Sequence, residues 1–140
     1  MRKFVLAFIF SACLPTLAYC DEVQTPERIA SRFFETLLQG KEAEAIDFFM
    51  GPNRFLRRNG EQVEQMKSQV SEAMRLYGRP FAVESISVEE ITPSLQRRVY
   101  LTKHTNHPLV WEMYFYRAKN EWMPDQLVFV DQYQVIGRKK

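Results

Sequence analysis

The sequence is poor in cysteine. Its two cysteines, Cys13 and Cys20, both lie within the first 20 of 140 residues. The rest of the chain has no thiol, so it can hold no disulfide, thiolate nucleophile or cysteine metal ligand. A thiol-free chain is compatible with an oxidising compartment.

Several sequence signals of common functions are also missing. The five glycines form no phosphate-binding loop, and neither GxSxG nor HExxH occurs. No apolar run reaches the roughly 20 residues that a membrane-spanning helix needs. Outside the first 20 residues, 17 basic side chains balance 17 acidic ones. Nucleic-acid binding requires a basic excess, so we exclude it.

The N-terminus has the three-part pattern of a secretory signal. Arg2 and Lys3 precede an apolar run from Phe4 to Leu14, which Pro15 ends. The pattern predicts a signal peptide over residues 1–20 and export to the periplasm or medium. Its removal leaves one domain of about 120 residues, 21–140. A short membrane anchor is the alternative.

The cleavage site stays open between three alternatives. Ordinary cleavage after Cys20 removes both thiols, whereas cleavage after Ala18 leaves Cys20 in the mature chain. Leu17 to Cys20 also resembles a bacterial lipoprotein box, although Tyr19 stands where a small residue is expected. Lipidation of Cys20 would attach the protein to a membrane, and we expect no membrane contact otherwise.

Helical patterns fill the first half of the remaining chain. Thr25 and Pro26 predict the start of a first helix, which ends before Gly40. A second, short helix is predicted over 41–49 and a connection over 53–58. Asn59, with Gln62 in capping-box position, predicts the start of a third helix that ends near Tyr77.

Strand patterns fill the second half, over 81–91, 96–105, 109–117 and 122–135. In the first of these strands one face is predicted to carry Ala82, Glu84, Ile86 and Val88, and the other Phe81, Val83, Ser85 and Ser87. Short connections between them predict antiparallel neighbours. The fold class is therefore α+β: three N-terminal helices packed on a curved antiparallel sheet of about four strands.

The helical segment ASRFFETLLQGKEAEAIDFF and the late run from Val110 to Tyr116, followed by Trp122, resemble a known superfamily. This is the nuclear-transport-factor-2-like superfamily, which includes SnoaL-like and ketosteroid-isomerase-like proteins. The resemblance is to its small secreted bacterial members of unassigned function. It implies a cone-shaped fold with a cavity and dimerisation through the sheet, but no particular reaction.

Three residues are weak catalytic candidates. A ketosteroid-isomerase-like reaction needs a carboxylate base facing an oxyanion stabiliser. Asp47 and Asp131 could supply the carboxylate and Tyr100 the hydroxyl. The alternative is that Asp47 lies on an exposed helix face and that the tyrosines cover the sheet. His104 and His107 flank a hairpin turn and are expected to be exposed. They have no third ligand near them in sequence, so we expect no metal and no cofactor.

Both faces of the predicted sheet are apolar or aromatic, whereas a sheet with one wet face should alternate. On our register one face holds the predicted cavity lining: Trp111, Met113, Phe115 and Phe129. The other holds a predicted interface: Tyr114, Tyr116, Val128 and Val130. The second set predicts a homodimer formed through the sheet.

These observations favour an exported, non-enzymatic binding or interaction module whose partner is a protein or a small apolar ligand. The alternatives are a small cavity enzyme of isomerase or hydratase type, and a carrier of lipids or other apolar ligands.

Overall fold

The computed structural model describes residues 24–132, which form four helices followed by a four-stranded antiparallel sheet. The helices are α1 (Pro26–Leu38), α2 (Glu42–Met50), α3 (Arg54–Arg58) and α4 (Gly60–Tyr77). The strands are β1 (Ala82–Thr92), β2 (Leu95–Lys103), β3 (Leu109–Ala118) and β4 (Glu121–Val130). The α+β class predicted from the sequence is confirmed. The predicted signal segment, Cys20 and the predicted strand end at 133–135 lie outside the described residues.

Helix α1 begins where its sequence predicts. The Thr25 hydroxyl accepts a hydrogen bond from the Arg28 backbone N–H at 3.3 Å, and Pro26 occupies the first turn. After the helix, Gly40 has a φ of +76°, a conformation that glycine adopts without strain. The spacing of Ile29, Phe33 and Leu37 places all three in the core.

The helix count was wrong by one, because residues 54–58 form the short helix α3 instead of a connection. The Asn53 side chain accepts from the Phe55 N–H at 2.9 Å and so caps this helix. Its amide also donates to the Pro124 carbonyl at 3.0 Å, which ties α3 to β4. This second bond joins residues far apart in sequence, so no local pattern indicates it.

The capping box predicted at Asn59 was also wrong. Asn59 ends α3 and begins α4, and its side chain makes no capping hydrogen bond. Its own N–H donates to the Leu56 carbonyl at 3.1 Å, while its carbonyl accepts from the Gln62 N–H at 3.0 Å. The tight junction sets a backbone conformation of φ −92° and ψ 53°, which is not the extended geometry of an N-cap.

The sheet is a meander in which each strand pairs with the next, in the order β1-β2-β3-β4. The strand register aligns Tyr100 with Trp111 and Trp111 with Phe129 across three strands. The predicted alternation along β1 holds only in part, because bulges interrupt the pairing at Ile86 and Ile91. The first bulge moves Val88 onto the same face as Val83, not the face of Glu84 as predicted.

The core is aromatic and lies between the helices and one face of β3 and β4. Ring centroids are 5.4 Å apart for Phe33 and Trp111, and 5.3 Å apart for Trp111 and Phe129. From α2, Phe49 contacts Phe115 at 5.8 Å. Helix α1 thus packs on Trp111, and α2 adds four buried residues to the same core.

The helices cover only part of the sheet. They share the core with β3, β4 and Tyr100 of β2, whereas no residue of β1 is buried. The first strand of the meander therefore projects beyond the helical layer. The exposed surface of β1 is the main surface feature of the molecule.

Candidate functional site

The three catalytic candidates do not form one site. Asp47 lies on α2, Tyr100 on β2 and Asp131 just after β4. No hydrogen bond within residues 24–132 joins any two of them. Each of the three side chains has its own ion-pair or hydrogen-bond partners.

Asp47 belongs to an ion pair between two helices. Its carboxylate is 2.7 Å from the Lys67 Nζ of α4, and Lys67 also bonds Glu64 at 2.8 Å. The bond to Asp47, followed by that to Glu64, raises the pKa of Lys67. The Asp47 side chain is 60% exposed, so the pair adds at most about 1 kcal/mol of stability. This arrangement joins α2 to α4 on the surface.

Tyr100 is nearly buried. Its ring centroid is 4.8 Å from that of Phe34, and its hydroxyl accepts from the Arg98 guanidinium at 3.3 Å. Tyr100, the predicted oxyanion stabiliser, therefore has Arg98 as its hydrogen-bond partner, and no carboxylate bonds to its hydroxyl within the described residues.

Asp131 lies at the rim of a surface pocket between α4 and the end of β4. The Tyr77 hydroxyl donates to its carboxylate at 2.8 Å, and this bond raises the pKa of Tyr77. The His107 ring is 5.1 Å from the Tyr77 ring, and its Nε2 bonds the Asp131 carbonyl at 2.6 Å. The pocket has a volume of about 490 Å³, with Ala73, Leu76, Leu109 and Phe129 in its wall. A tyrosine with a raised pKa stays protonated, so Tyr77 can donate a hydrogen bond here but not act as a base.

The predicted cavity lining is mostly core. Trp111, Met113 and Phe115 are fully buried, and the aromatic rings of α1 and α2 fill the space before Trp111 and Phe115. Phe129 is partly buried and lies in the wall of the pocket beside Asp131. A separate apolar pocket of about 300 Å³ lies at the other end of the molecule, between Ile29, Phe48 and Trp122.

A buried chain of polar groups links three parts of the fold. The Trp111 indole donates to the Thr102 hydroxyl at 2.9 Å, and that hydroxyl lies 2.9 Å from His104 Nε2. His104 Nδ1 lies 2.6 Å from the Gly78 carbonyl, which only accepts. Nδ1 therefore carries the proton, and Nε2 of the neutral ring accepts from Thr102. Sequence reasoning placed His104 in an exposed turn, but it is 7% exposed.

Because His104 is buried, the protein should become less stable in mild acid. Burial lowers the pKa of His104, the Gly78 bond partly opposes that shift, and nearby His107 lowers the pKa further. Below about pH 6.5 the unfolded chain binds a proton that the folded protein resists, so stability falls as pH falls. Denaturant unfolding at pH 7.5 and 5.5 should show this loss. His104→Asn should reduce the pH dependence and His107→Asn should largely keep it; equal slopes in all three proteins would contradict the assignment.

The described residues contain no cluster of side chains that could bind a metal ion. No three His, Cys, Asp or Glu side chains within 24–132 lie close enough to hold an ion together. His104 and His107 are directed to separate carbonyls, those of Gly78 and Asp131.

The residues of the predicted interface share the sheet face turned away from the helices. Val128 is aligned with Glu112 and Val130 with Val110, on the side that carries Tyr114 and Tyr116. Of the four, Tyr116 is exposed at 44%, and the others are partly covered. Arg97 and Glu112 form an ion pair at 3.0 Å on this face, and the Tyr114 hydroxyl donates to Glu112 at 3.3 Å. The homodimer itself stays a prediction.

The most exposed apolar surface lies on and beside β1. Phe81 is 65% exposed and Val88 53%, and Val83, Ile86 and Ile91 are exposed as well. Sequence reasoning missed this feature because it treated β1 as a half-buried strand. The signal was present: apolar residues of this segment occupy both odd and even positions, which a strand with one buried face does not require.

The two edges of the sheet differ. At the β4 edge, Pro124 has no N–H to offer, a bulge follows at Asp125, and Asn53 bonds the Pro124 carbonyl. At the β1 edge, 11 residues pair only with β2 in the part of the chain that the structure describes, and they contain neither proline nor lysine. Proteins commonly protect open edges with such residues. The β1 edge is thus the less protected one.

A groove runs between α1 and β1 because the helical layer stops short of that strand. It holds a pocket of about 200 Å³ whose walls are Ser31, Glu35 and Leu38 of α1, with Val83 and Tyr100 opposite and Phe34 between. The groove extends the exposed surface of β1 onto the helix-facing side of the sheet.

Comparison with known proteins adds no assignment. No family model matches the chain, and neither the curated proteins nor the solved structures include a match. Within residues 24–132, no helix has both the length and the apolar character to cross a membrane.

Proposed function

We propose that the protein is an exported binding module that acts by holding a partner, not by catalysing a reaction. The proposed partner surface is β1 with the adjoining groove. Export rests on the signal pattern of residues 1–20. Membership in the nuclear-transport-factor-2-like superfamily is part of the proposal, and it is supported by helices packed on a curved antiparallel sheet.

The observation that carries the proposal is the exposure of β1. An 11-residue strand without a single buried residue contributes little to the core of this fold. It nevertheless exposes four large aliphatic side chains, Val83, Ile86, Val88 and Ile91, beside exposed Phe81. Large apolar side chains exposed along one strand are typical of an interaction site.

The alternatives would use other parts of the molecule. An isomerase or hydratase would use the pocket of Tyr77 and Asp131, and a carrier would use the apolar pocket beside Trp122. Both would retain a small molecule, so mass spectrometry of the native protein distinguishes them from the proposed module. A homodimer through Tyr114, Tyr116, Val128 and Val130 is compatible with the module.

Photo-crosslinking in the producing cell tests the proposal. A photoreactive phenylalanine analogue replaces one aromatic residue at a time: Phe81 beside β1, Tyr116 on the outer face, or Phe55 on α3 as the control. The three side chains are exposed at 65, 44 and 70%. We expect partner adducts from Phe81 in the exported fraction. An adduct of two identical chains from Tyr116 would support the homodimer, and its absence at micromolar concentration would contradict it.

A further inference from the structure

The free side of β1 presents backbone groups that could pair with another strand. Within the described residues the strand pairs only with β2, so its outer N–H and C=O groups have no strand partner. Bulges at Ile86 and Ile91 divide its pairing with β2. The segment between them, Ser87–Glu90, is regular and is aligned without interruption with 96–99 of β2. Regular pairing on the free side is therefore geometrically easiest over Ser87–Glu90.

The charge of β1 is of one sign. The strand contains Glu84, Glu89 and Glu90 and no basic residue. Glu84 pairs with Lys103, and Glu89 lies 3.6 Å from Arg97. Glu90 has no ion pair in the described part of the chain. A strand placed along this edge would thus meet an uncompensated carboxylate.

This charge argues against a second copy of β1 as the added strand. In an antiparallel pair of two Ser87–Glu90 segments centred on Glu89, the Glu89 carboxylates of the two copies would lie directly opposite each other. Like charges directly opposite each other destabilise a strand pair. Any self-pairing would also bring six carboxylates together on two strands that have no basic residue. A basic partner segment would instead neutralise Glu90.

The groove gives the partner's side chains a place to pack. Val83 and Val88 both face the helical side of the sheet, and Val83 forms one wall of the pocket with Phe34, Leu38 and Tyr100. Alternate side chains of an added strand would extend over that same side. Glu90 lies on this side as well, two residues after Val88 in the regular segment. An apolar side chain of the partner fits over Val88, and a basic side chain two positions away fits at Glu90.

We propose that the edge of β1 binds an extended polypeptide segment in which lysine or arginine lies two positions from an apolar residue, and that this segment adds a fifth strand to the sheet. Backbone hydrogen bonds would supply affinity, and the groove and Glu90 would supply selectivity. The inference rests on the proposed function and names the class of partner.

Synthetic peptides can test the pairing directly. The probe is an eight-residue peptide made of two Val-Val-Lys-Lys repeats, which places a valine and a lysine two positions apart on the same face; the controls are its glutamate counterpart and a version N-methylated at every second backbone amide. We expect the basic peptide to bind the purified protein and to slow hydrogen exchange in β1, mainly over Ser87–Glu90. The methylated peptide should bind about tenfold more weakly or worse, since several backbone bonds are lost. Added salt should weaken binding.

Matched variants locate the site. Val88→Lys and Glu90→Lys should each weaken binding of the basic peptide about threefold or more, because each adds a like charge at the edge. Leu76→Lys on α4 and Glu121→Lys at the start of β4 alter residues of similar exposure class elsewhere and should leave binding unchanged. Equal effects at the control positions, or equal binding of the glutamate peptide, would overturn the inference.

The peptide test of strand addition and the crosslinking test of the proposed function can fail independently. If Phe81 yields partner adducts in cells but neither peptide protects β1 from exchange, the module stands and the strand-addition inference fails. If the partner captured at Phe81 contacts β1 through a helix, the inference fails in the same way. Protection over Ser87–Glu90 by the basic peptide alone supports it.

Discussion

Replacing Phe33 with alanine should lower the free energy of unfolding by about 3–5 kcal/mol. The ring is fully buried and lies at the centre of the core, within 6 Å of the ring centroids of Phe34, Phe49 and Trp111. Its loss removes apolar burial and leaves a cavity bounded by rigid rings, which cannot easily close. Equilibrium denaturation in urea measures the effect.

Phe55→Ala is the matched control for this substitution. It removes the same side chain from a position that is 70% exposed, so we expect a change within about 0.5 kcal/mol. A loss below about 1 kcal/mol for Phe33→Ala would contradict the packing of α1 against β3.

Thr102→Val should cost at least about 2 kcal/mol, although the two side chains have nearly the same shape. The Thr102 hydroxyl accepts from the Trp111 indole and donates to His104, and all three side chains are buried. Valine leaves the Trp111 N–H and the His104 Nε2 without that partner. Each buried polar group left unpaired costs about 1–3 kcal/mol.

Thr102→Ser separates the hydroxyl from the shape of the side chain. Serine keeps the oxygen and loses one methyl group, so it should be clearly less destabilising than valine. Thr105→Val, at an exposed position just after the end of β2, should be nearly neutral. If Thr102→Val were as mild as Thr105→Val, the polar chain would have no energetic role.

The elements that the sequence predicted correctly are those that residues close together in the chain specify. Thr25 and Pro26 specify the start of α1 without help from distant residues. The Lys119-Asn120 turn is likewise local, with Lys119 at φ 61° between β3 and β4. The aromatic alternation of β3 predicted the face that packs on the helices.

The errors arose where distant residues decide the conformation. Asn53 caps α3 while bonding Pro124, 71 positions away, and Asn59 is held between two helices. The bulge at Ile86 depends on how β1 pairs with β2, and it changes the face on which Val88 lies. Periodicity within one segment contains none of this information.

The site was harder to predict than the fold. Trp111, Met113 and Phe115 have the composition expected of a cavity wall, but it is also the composition of a core, and the rings of Phe33 and Phe49 fill that space. The exposure of β1 depends on where the helical layer ends. The lengths of the helices do not predict where the helical layer ends, because that depends on how α1 and α2 pack over β3 and β4.

The central claim is that β1 holds a partner, and the most direct measurement is the crosslinking yield at Phe81 relative to that at Phe55. Both are exposed phenylalanines, one beside β1 and one on α3. The account predicts a discrete adduct with a partner polypeptide from Phe81 and little or none from Phe55, in protein recovered from outside the cytoplasm. Equal yields at the two positions, or no adduct at Phe81, would contradict it.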